Sequence, residues 1–245
     1  MIADGAATPA ALLVLAKAPA AGRAKTRLCP PATPSGAARV AAAALLDTLD
    51  TVRAVTEGGT AAAGPAVTGL VAWTGELAEA EYAAELDRAL RGIARFAQRE
   101  GTLGRRIAAA HAEVATRLPG SAVLQIGMDT PQLTAGHLAD GLSLLTAAGG
   151  PDAVLGPAVD GGWWALGLRA PRAAAVIESV PTSRADTGER TLHALRAAGL
   201  TVALLDELRD VDTADDARAV AAAGAGRRFT SEVAEVLHPP AGLAP

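Results

Sequence analysis

The stretch that most constrains the fold is the segment Ala122–Pro131, AVLQIGMDTP. Its apolar first half has the length of one buried strand, and it ends in glycine, aspartate and proline, which are typical of a loop. The pattern predicts a strand over Ala122–Gly127 that delivers Asp129 into a loop. In open α/β sheets the ligand crevice lies at the carboxyl ends of the strands. The alternative is that Asp129 only forms an Asx-turn before Pro131.

Similar apolar runs alternate with helical patterns along the chain. The further predicted strands are Ala11–Ala16, Val67–Trp73, Ala153–Leu155 and a last buried strand at Thr201–Leu205. The spacing of apolar residues predicts helices between them, including one long helix over Glu76–Glu100. Strands that alternate with helices predict an α/β fold, a three-layer αβα sandwich with a mostly parallel sheet.

We expect one domain over residues 11–223, because no segment has the composition of a linker. Residues 1–10 are predicted to be a flexible leader. Residues 224–245 are predicted to be a C-terminal tail with one helical turn around Val233–Leu237.

Composition excludes several classes of function. A net charge of −4 and an aromatic content of 2% argue against a nucleic-acid-binding surface. The single cysteine, Cys29, excludes a disulfide framework, and the histidines lack metal-ligand spacing. No apolar run approaches the ~20 residues that a membrane span needs, and the N-terminus lacks a signal-peptide pattern. We therefore expect a cytoplasmic protein that binds no nucleic acid and has no membrane span.

The loop after the first predicted strand concentrates cations. Only two of the 22 basic residues are lysines, Lys17 and Lys25, and both lie in this loop. Lysine acts as a compact point charge, whereas arginine can bind two phosphate oxygens at once. The sequence matches neither a P-loop nor a dinucleotide-binding fingerprint. It predicts a phosphate cradle of another kind, and the alternative is a solvated basic loop. The candidate phosphate-binding residues are Lys17, Gly22, Arg23, Lys25, Thr26 and Arg27.

Carboxylates follow two of the apolar runs. Asp129 follows one, and Asp210 and Asp212 follow the last predicted strand. Mg²⁺ and Mn²⁺ prefer hard oxygen ligands, typically one or two carboxylates together with substrate phosphates. These residues therefore predict a Mg²⁺ or Mn²⁺ site. The alternative is that Asp212 and Thr213 only cap the following helix.

A glycine-rich turn follows the strand predicted at Ala153–Leu155. Paired glycines after Asp160 allow a positive φ and a close approach of the backbone to a ligand. The alternative is a hairpin turn that feeds a strand with one tryptophan in the core.

These segments occur in an order that resembles a bacterial family of glycosyltransferases with the GT-A fold. That family is related to the MobA-like and CofC-like nucleotidyltransferases and is often described as a domain of unknown function. The resemblance covers about residues 11–220, and the ordered set of motifs is specific. The motifs in chain order are KAPxxGxxKTRL, LGxR, GxDxPxL, GPAxDGGxxxxGL and DVDTxxD.

The resemblance implies a site for a nucleotide sugar or a nucleoside triphosphate. The Lys17–Arg27 loop would bind the phosphates, joined by Arg106 of the LGxR motif. Asp129 would hold the divalent metal together with Asp212 or Asp210. The residues implied on the acceptor or sugar side are Asp160, Gly161, Gly162 and Trp163.

Three departures from the family pattern leave the acceptor open. Met128 stands where serine is usual, and Arg105 stands where an acidic residue is usual. A Trp-Ser-Thr-like stretch is replaced by Pro181, Thr182 and Ser183.

The leading hypothesis is a metal-dependent transferase of the nucleotide-diphospho-sugar type, a glycosyltransferase with Asp129 and Asp160 as catalytic residues. Asp160 would bind a sugar hydroxyl or act as general base towards an acceptor hydroxyl, or it would only hold its turn. The alternative function is nucleotidyl transfer from a nucleoside triphosphate to a phosphorylated small molecule, with release of pyrophosphate. A third is a non-catalytic nucleotide-binding module. The acceptor and the oligomeric state are not determined by the sequence.

Overall fold

The apolar run at residue 122 forms the middle strand of a sheet. The structure is a computed structural model that describes residues 8–58 and 66–237. Within these residues the sheet has seven strands. They are β1 (Ala10–Lys17), β2 (Val67–Thr74), β3 (Ala94–Ala97), β4 (Ala122–Ile126), β5 (Ala153–Pro157), β6 (Trp163–Leu168) and β7 (Val202–Leu204).

The sheet is mostly parallel, as predicted. Its order is β3-β2-β1-β4-β6-β5-β7, and β6 alone runs antiparallel to its neighbours. Strands β1 and β4 are almost entirely buried, which is typical of parallel strands covered on both faces. Because they are parallel neighbours, their carboxyl ends, Lys17 and Ile126, lie at the same edge of the sheet.

Helices cover both faces of the sheet. In the described residues they are α1 (Pro34–Gly58), α2 (Ala83–Leu90), α3 (Leu103–Arg117), α4 (Ala135–Thr146), α5 (Thr187–Ala197), α6 (Ala214–Ala222) and α7 (Arg227–Leu237). Successive strand residues point to opposite faces. Leu12 and Val14 pack with α1 and α4, whereas Leu13 packs with α3. The predicted three-layer α/β class is confirmed.

The long helix predicted over Glu76–Glu100 is wrong. Its apolar spacing is satisfied only within α2, where Leu86 and Leu90 are buried. Gly92 then takes a positive φ of 81°, which turns the chain out of the helix. The next residues form β3, which pairs with the free edge of β2. The available edge of a sheet therefore outweighed local helical spacing.

The last strand is also not the buried strand that was predicted. β7 covers three residues, pairs only with β5, and leaves Leu204 53% exposed. It lies at the edge of the sheet, where fewer side chains are covered.

The predicted C-terminal tail begins with a packed helix rather than a single turn. Helix α7 spans eleven residues and packs against α1 and α6. Phe229, Val233 and Leu237 are buried in a cluster with residues of α1 and α6. The packed part of the chain therefore extends beyond residue 223. Residues 1–7 of the predicted leader, residues 59–65 and residues 238–245 of the tail lie outside the described residues.

A helix that spans a bilayer must be both long and apolar. Across residues 8–58 and 66–237, none of the helices is both long and apolar enough to cross a bilayer.

Candidate active site

The loops that follow β1 and β4 meet at the carboxyl edge of the sheet. The backbone N–H of Lys17 donates to the sulfur of Met128 at 3.2 Å, which links the two loops. Ligand sites in α/β sheets form at such an edge. Lys17 and Asp129 therefore lie where the sequence predicted a site.

Lys25 lies between two of the predicted carboxylates. Its Nζ is 2.7 Å from Asp129 Oδ2 and 3.0 Å from Asp212 Oδ1. Burial alone would lower the pKa of Lys25, but the charges and hydrogen bonds of both carboxylates outweigh it, and the pKa is raised. Because one ammonium contacts both, Asp129 and Asp212 lie close enough to share a single cation.

Asp210 adds a third carboxylate to this group. It accepts a hydrogen bond from Thr130 Oγ1 at 3.1 Å. Burial raises its pKa to about 7, and the charges of Asp129 and Asp160 add to this rise. A carboxyl whose pKa is raised by burial and by neighbouring carboxylates is frequent at functional sites.

Asp160 belongs to the same acidic group and also holds its own turn. Its Oδ1 accepts the backbone N–H of Gly162 at 2.8 Å, as the turn-forming alternative requires. Its charge nevertheless acts on Asp210, and its side chain is exposed to solvent. Both interpretations of Asp160 are compatible with this geometry.

Thr213, not Asp212, caps the helix that follows. The Thr213 hydroxyl accepts from the N–H of Asp216, and the Asp216 carboxylate accepts from the N–H of Thr213. This capping box leaves the carboxylate of Asp212 available for Lys25 and Arg27. Asp212 therefore does not cap helix α6, and Thr213 does.

The predicted phosphate loop divides its cations into paired and unpaired groups. Arg23 pairs with Glu79 at 2.7 Å, and Arg27 pairs with Asp212 at 3.2 Å.

The two other candidate residues of this loop shape its backbone. Gly22 has a positive φ of 73° and open space around it, so a glycine is favoured there by the turn. Thr26 is exposed and begins a short 3₁₀ helix.

Lys17 and Arg106 are cations without a carboxylate partner among the described residues. Lys17 Nζ donates to the backbone carbonyl of Arg23 at 2.8 Å. Burial lowers the pKa of Lys17, the Lys25 and Arg106 charges add to this, and Asp129 opposes it. The effect of Arg106 on Lys17 indicates that the two cations lie near each other, and phosphate binding by either residue stays a prediction.

Gln98 is a site residue that sequence reasoning missed. Its side chain accepts from Arg106 and donates to the carbonyls of Ala16 and Ala72, at the ends of β1 and β2. The incorrect helix over Glu76–Glu100 concealed it. The signal available was an amide directly after the short run Ala94–Ala97.

The glycine-rich turn packs against its own chain. A Cβ on Gly161 would lie 1.8 Å from the carbonyl oxygen of Ala185, and Gly161 has a φ of 84°. The N–H of Gly188 donates to the Gly161 carbonyl at 2.7 Å. A glycine is therefore required at position 161 because the backbone before α5 lies against it. The space predicted for a ligand beside Gly161 is filled by the protein's own backbone.

The two tryptophans after this turn begin β6, which forms an antiparallel hairpin with β5. Trp164 is buried and donates to the carbonyl of Asp206 at 2.9 Å. Trp163 is half-buried and donates to Thr191 in α5 at 3.2 Å. The hairpin alternative is therefore correct. The indole N–H of Trp163 is directed to α5, and an acceptor-side role for Trp163 remains a prediction.

The carboxylates suit a divalent cation only in part. Among the described residues, no three His, Cys, Asp or Glu side chains are grouped so that they could hold a metal alone. Asp129 and Asp212 could supply two hard oxygen ligands to Mg²⁺ or Mn²⁺, and phosphates and water would complete the coordination. This division of ligands is usual for Mg²⁺ in phosphate-transferring sites.

A large open groove lies elsewhere on the molecule, between α1 and α7. It has a volume of about 970 Å³, and its lining includes Pro131 of the loop after β4 but none of the charged residues of the carboxyl edge. Its polar groups pair with one another, including Asp47 with Arg228 and Tyr82 with Glu232. We call it the α1–α7 groove. Size alone does not make it the site, because its buried carboxylates, Asp47 and Glu232, are already in salt bridges.

The fold is similar to that of several solved structures. A protein described as "putative nucleotide-diphospho-sugar transferase" from Desulfovibrio desulfuricans G20 is 24% identical, with 92% of each chain covered and a TM-score of 0.72. A 4-diphosphocytidyl-2C-methyl-D-erythritol synthase is 12% identical over 88% of this chain and 98% of its own, with a TM-score of 0.52.

A CMP:2-keto-3-deoxy-manno-octonic acid synthetase, solved in complex with CTP, is also similar. It is 12% identical over 87% of this chain and 97% of its own, with a TM-score of 0.50. At these identities the likeness concerns the fold.

The family follows from the sequence match. Residues 37–184 match the family described as "Uncharacterized protein conserved in bacteria (DUF2064)", and the chain belongs to that family. The match includes Gln98, Arg106, Asp129 and Asp160, and it leaves out the Lys17–Arg27 loop. No curated protein matches the chain.

Proposed function

We propose that this protein is a metal-dependent glycosyltransferase that uses a nucleotide-sugar donor. The observation that carries the proposal is the meeting of unpaired cations with carboxylates at one sheet edge. Lys17 and Arg106 form no salt bridge among the described residues, and Asp129 and Asp212 meet at Lys25 of the same loop. A diphosphate with a bound divalent ion would satisfy both sets of charges.

The residues of the site divide the work of such a reaction. Lys17 and Arg106 would bind the diphosphate of the donor and stabilise the charge that grows on it as it leaves. Asp129 and Asp212 would hold Mg²⁺ or Mn²⁺. The ion would supply additional positive charge at the leaving diphosphate.

Lys25 has a separate part in this proposal. It pairs with both Asp129 and Asp212 in the structure, and it would turn towards a phosphate when a divalent ion takes its place.

Asp160 would serve the acceptor in this proposal. Its carboxylate is exposed beside Asp210, so it can accept a hydrogen bond from an acceptor hydroxyl. When that hydroxyl attacks the sugar carbon and the diphosphate leaves, Asp160 can take its proton.

Nucleotidyl transfer is the second candidate function. Two of the similar folds support it, a 4-diphosphocytidyl-2C-methyl-D-erythritol synthase and a synthetase solved with CTP. The same cations would then hold the pyrophosphate that leaves a nucleoside triphosphate. A phosphate on the second substrate would be the nucleophile.

The product released separates the two functions. The protein is first screened by thermal shift against nucleotide sugars and nucleoside triphosphates, with and without Mn²⁺. It is then incubated with each stabilising ligand and with candidate acceptors, and sugar and pyrophosphate release are measured separately. Sugar release supports glycosyl transfer, and pyrophosphate release supports nucleotidyl transfer.

Two variants test whether the activity belongs to this site. Arg106→Ala should weaken donor binding, whereas the control Arg172→Ala should not, because Arg172 contacts Thr116 at the far end of α3. Stable nucleotide binding without turnover would indicate the non-catalytic module instead. No stabilisation by any nucleotide would reject the proposal.

A further inference from the structure

Gln98 connects three elements at the carboxyl edge of the sheet. Its Nε2 donates to the carbonyl of Ala16 at 2.7 Å and to the carbonyl of Ala72 at 2.8 Å. Its Oε1 accepts from Arg106 Nε at 2.9 Å and from a terminal nitrogen of the same guanidinium. Its backbone N–H donates to the Trp73 carbonyl at 2.9 Å. Both halves of this amide are therefore used.

The contact with Arg106 fixes the guanidinium without cancelling its charge. Two guanidinium nitrogens bind one oxygen of a neutral amide, which restricts the side chain to one orientation. The neighbouring Arg105 is 68% exposed and faces the carboxylate of Glu178. Of these two adjacent arginines, the one held by Gln98 keeps its full positive charge available for another partner.

The orientation of Arg106 is tied to the start of the phosphate loop. Ala16, whose carbonyl binds Gln98, immediately precedes Lys17 in the chain. Lys17 forms no salt bridge among the described residues, so two cations without a carboxylate in contact lie near one point of the sheet edge. Like charges held near each other repel, and an anion between them relieves the repulsion.

We propose that Gln98 is a positioning residue that holds Arg106 beside Lys17 as an uncompensated cation pair for a substrate diphosphate. The inference rests on the proposed function for the identity of the diphosphate as part of a nucleotide. An amide suits this role better than a carboxylate. Glutamate would keep the acceptor for Arg106, but it would neutralise the guanidinium and lose both donors to the strand ends.

A double-mutant cycle on Gln98 and Arg106 tests the inference. The affinity for inorganic pyrophosphate is measured by calorimetry for the wild type, Gln98→Met, Arg106→Ala and the double variant. We expect Arg106→Ala to weaken binding about 10–100-fold, the range of a lost charge-assisted hydrogen bond. Gln98→Met should weaken it about 3–10-fold in the wild type and less than about twofold in the Arg106→Ala background, because positioning acts only through Arg106.

Gln98→Glu tests the charge of the Arg106 guanidinium through the salt dependence of pyrophosphate affinity, which a purely structural role of Gln98 would not change. It keeps the size of the side chain and an acceptor for Arg106, and we expect weaker pyrophosphate binding with a shallower dependence on salt. Melting temperatures check the fold of every variant. If Gln98→Met does not fold, Gln98→Glu and its cycle with Arg106→Ala carry the test. Arg172→Ala is the control for removing an arginine away from the site.

The outcomes separate the inference from the proposed function. Coupled effects on pyrophosphate binding support the inference, even if no nucleoside diphosphate binds and the proposed function fails. The inference is overturned if the effects of the two substitutions on affinity are independent and multiply, or if Gln98→Glu binds pyrophosphate with wild-type affinity. Nucleotide binding by the wild type would still support the proposed function in either case. A wild-type protein that binds no pyrophosphate also overturns it.

Discussion

The carboxyl edge of the sheet and the α1–α7 groove both gather charged side chains, but they balance them differently. In the groove, Asp47 accepts from Arg228 and from the N–H of Phe229, and Glu232 pairs with Arg39 and Tyr82. These pairs connect α7 and the segment before α2 to α1. In the groove, therefore, these charged side chains serve to hold secondary-structure elements together.

At the sheet edge, charges of both signs are left without full compensation. Asp210 has a pKa raised to about 7 by burial and by Asp129 and Asp160, and Lys17 and Arg106 lack carboxylate partners among the described residues. Folding alone does not favour such an arrangement. The comparison favours the sheet edge as the proposed site, because its charges are less fully paired than those of the groove.

The largest effect is expected for Asp160 at the sheet edge. Asp160→Asn should lower turnover by roughly 10²–10⁴, the range of a lost acid–base group. The melting temperature should stay the same, because an asparagine oxygen can accept the same N–H of Gly162. Asp140→Asn, an exposed change on α4, is the matched control. Wild-type turnover of Asp160→Asn would assign the residue to its turn alone.

A change in the groove should do the opposite, reducing stability and sparing binding. Asp47→Ala removes the acceptor of Phe229 and Arg228 and should cost about 1.5–3 kcal/mol of unfolding free energy. Asp50→Ala, which removes a 54% exposed partner of Arg228, should cost less than about 1 kcal/mol. Urea unfolding and nucleotide titration are measured for both. Weaker nucleotide binding by a stably folded Asp47→Ala would contradict the structural role of the groove.

The protonation of Asp210 should make stability depend on pH. Its folded-state pKa of about 7 lies above the ordinary value of 3.8, so the folded state binds the proton more tightly. The contribution of Asp210 to the free energy of unfolding is therefore fully present below about pH 4, and it is lost as the pH rises towards 7.

The measurement compares unfolding at pH 5 and pH 8 without divalent ions. We expect a loss on the order of 1 kcal/mol at pH 8, moderated by the nearby Lys25 charge. Asp210→Asn should remove most of this loss. An equal pH dependence in wild type and variant would show that Asp210 does not carry it.

The smallest effect is expected for an exposed pair at the sheet edge. Arg27 is 70% exposed and lies 3.2 Å from Asp212, so Arg27→Ala should change the unfolding free energy by less than about 1 kcal/mol. If Arg27 turns to a phosphate in the complex, the variant should still bind nucleotide more weakly. Equal nucleotide affinity would leave Arg27 as a surface pair, with Lys17 and Arg106 as the phosphate ligands.

The centre of the fold and the position of the site could be predicted because both depend on local patterns. The runs at Ala11–Ala16 and Ala122–Gly127 are strands because continuous apolar side chains suit parallel strands between two helical layers. The polar residues after them reach one edge because parallel strands end together. That much was determined by the order of residues alone.

Tertiary structure decided the identity of the edges and the distribution of charge. The long predicted helix lost its second half to β3 because the unpaired backbone of β2 offered hydrogen bonds that no local pattern records. The role of Gln98 depends on this strand. Which cations remain free depends on partners far away in the chain, such as Glu79 for Arg23. Sequence placed Lys17, Asp129 and Asp212 at one edge, and only the folded chain decided that Arg106 would keep its charge there, because its partner is a neutral amide.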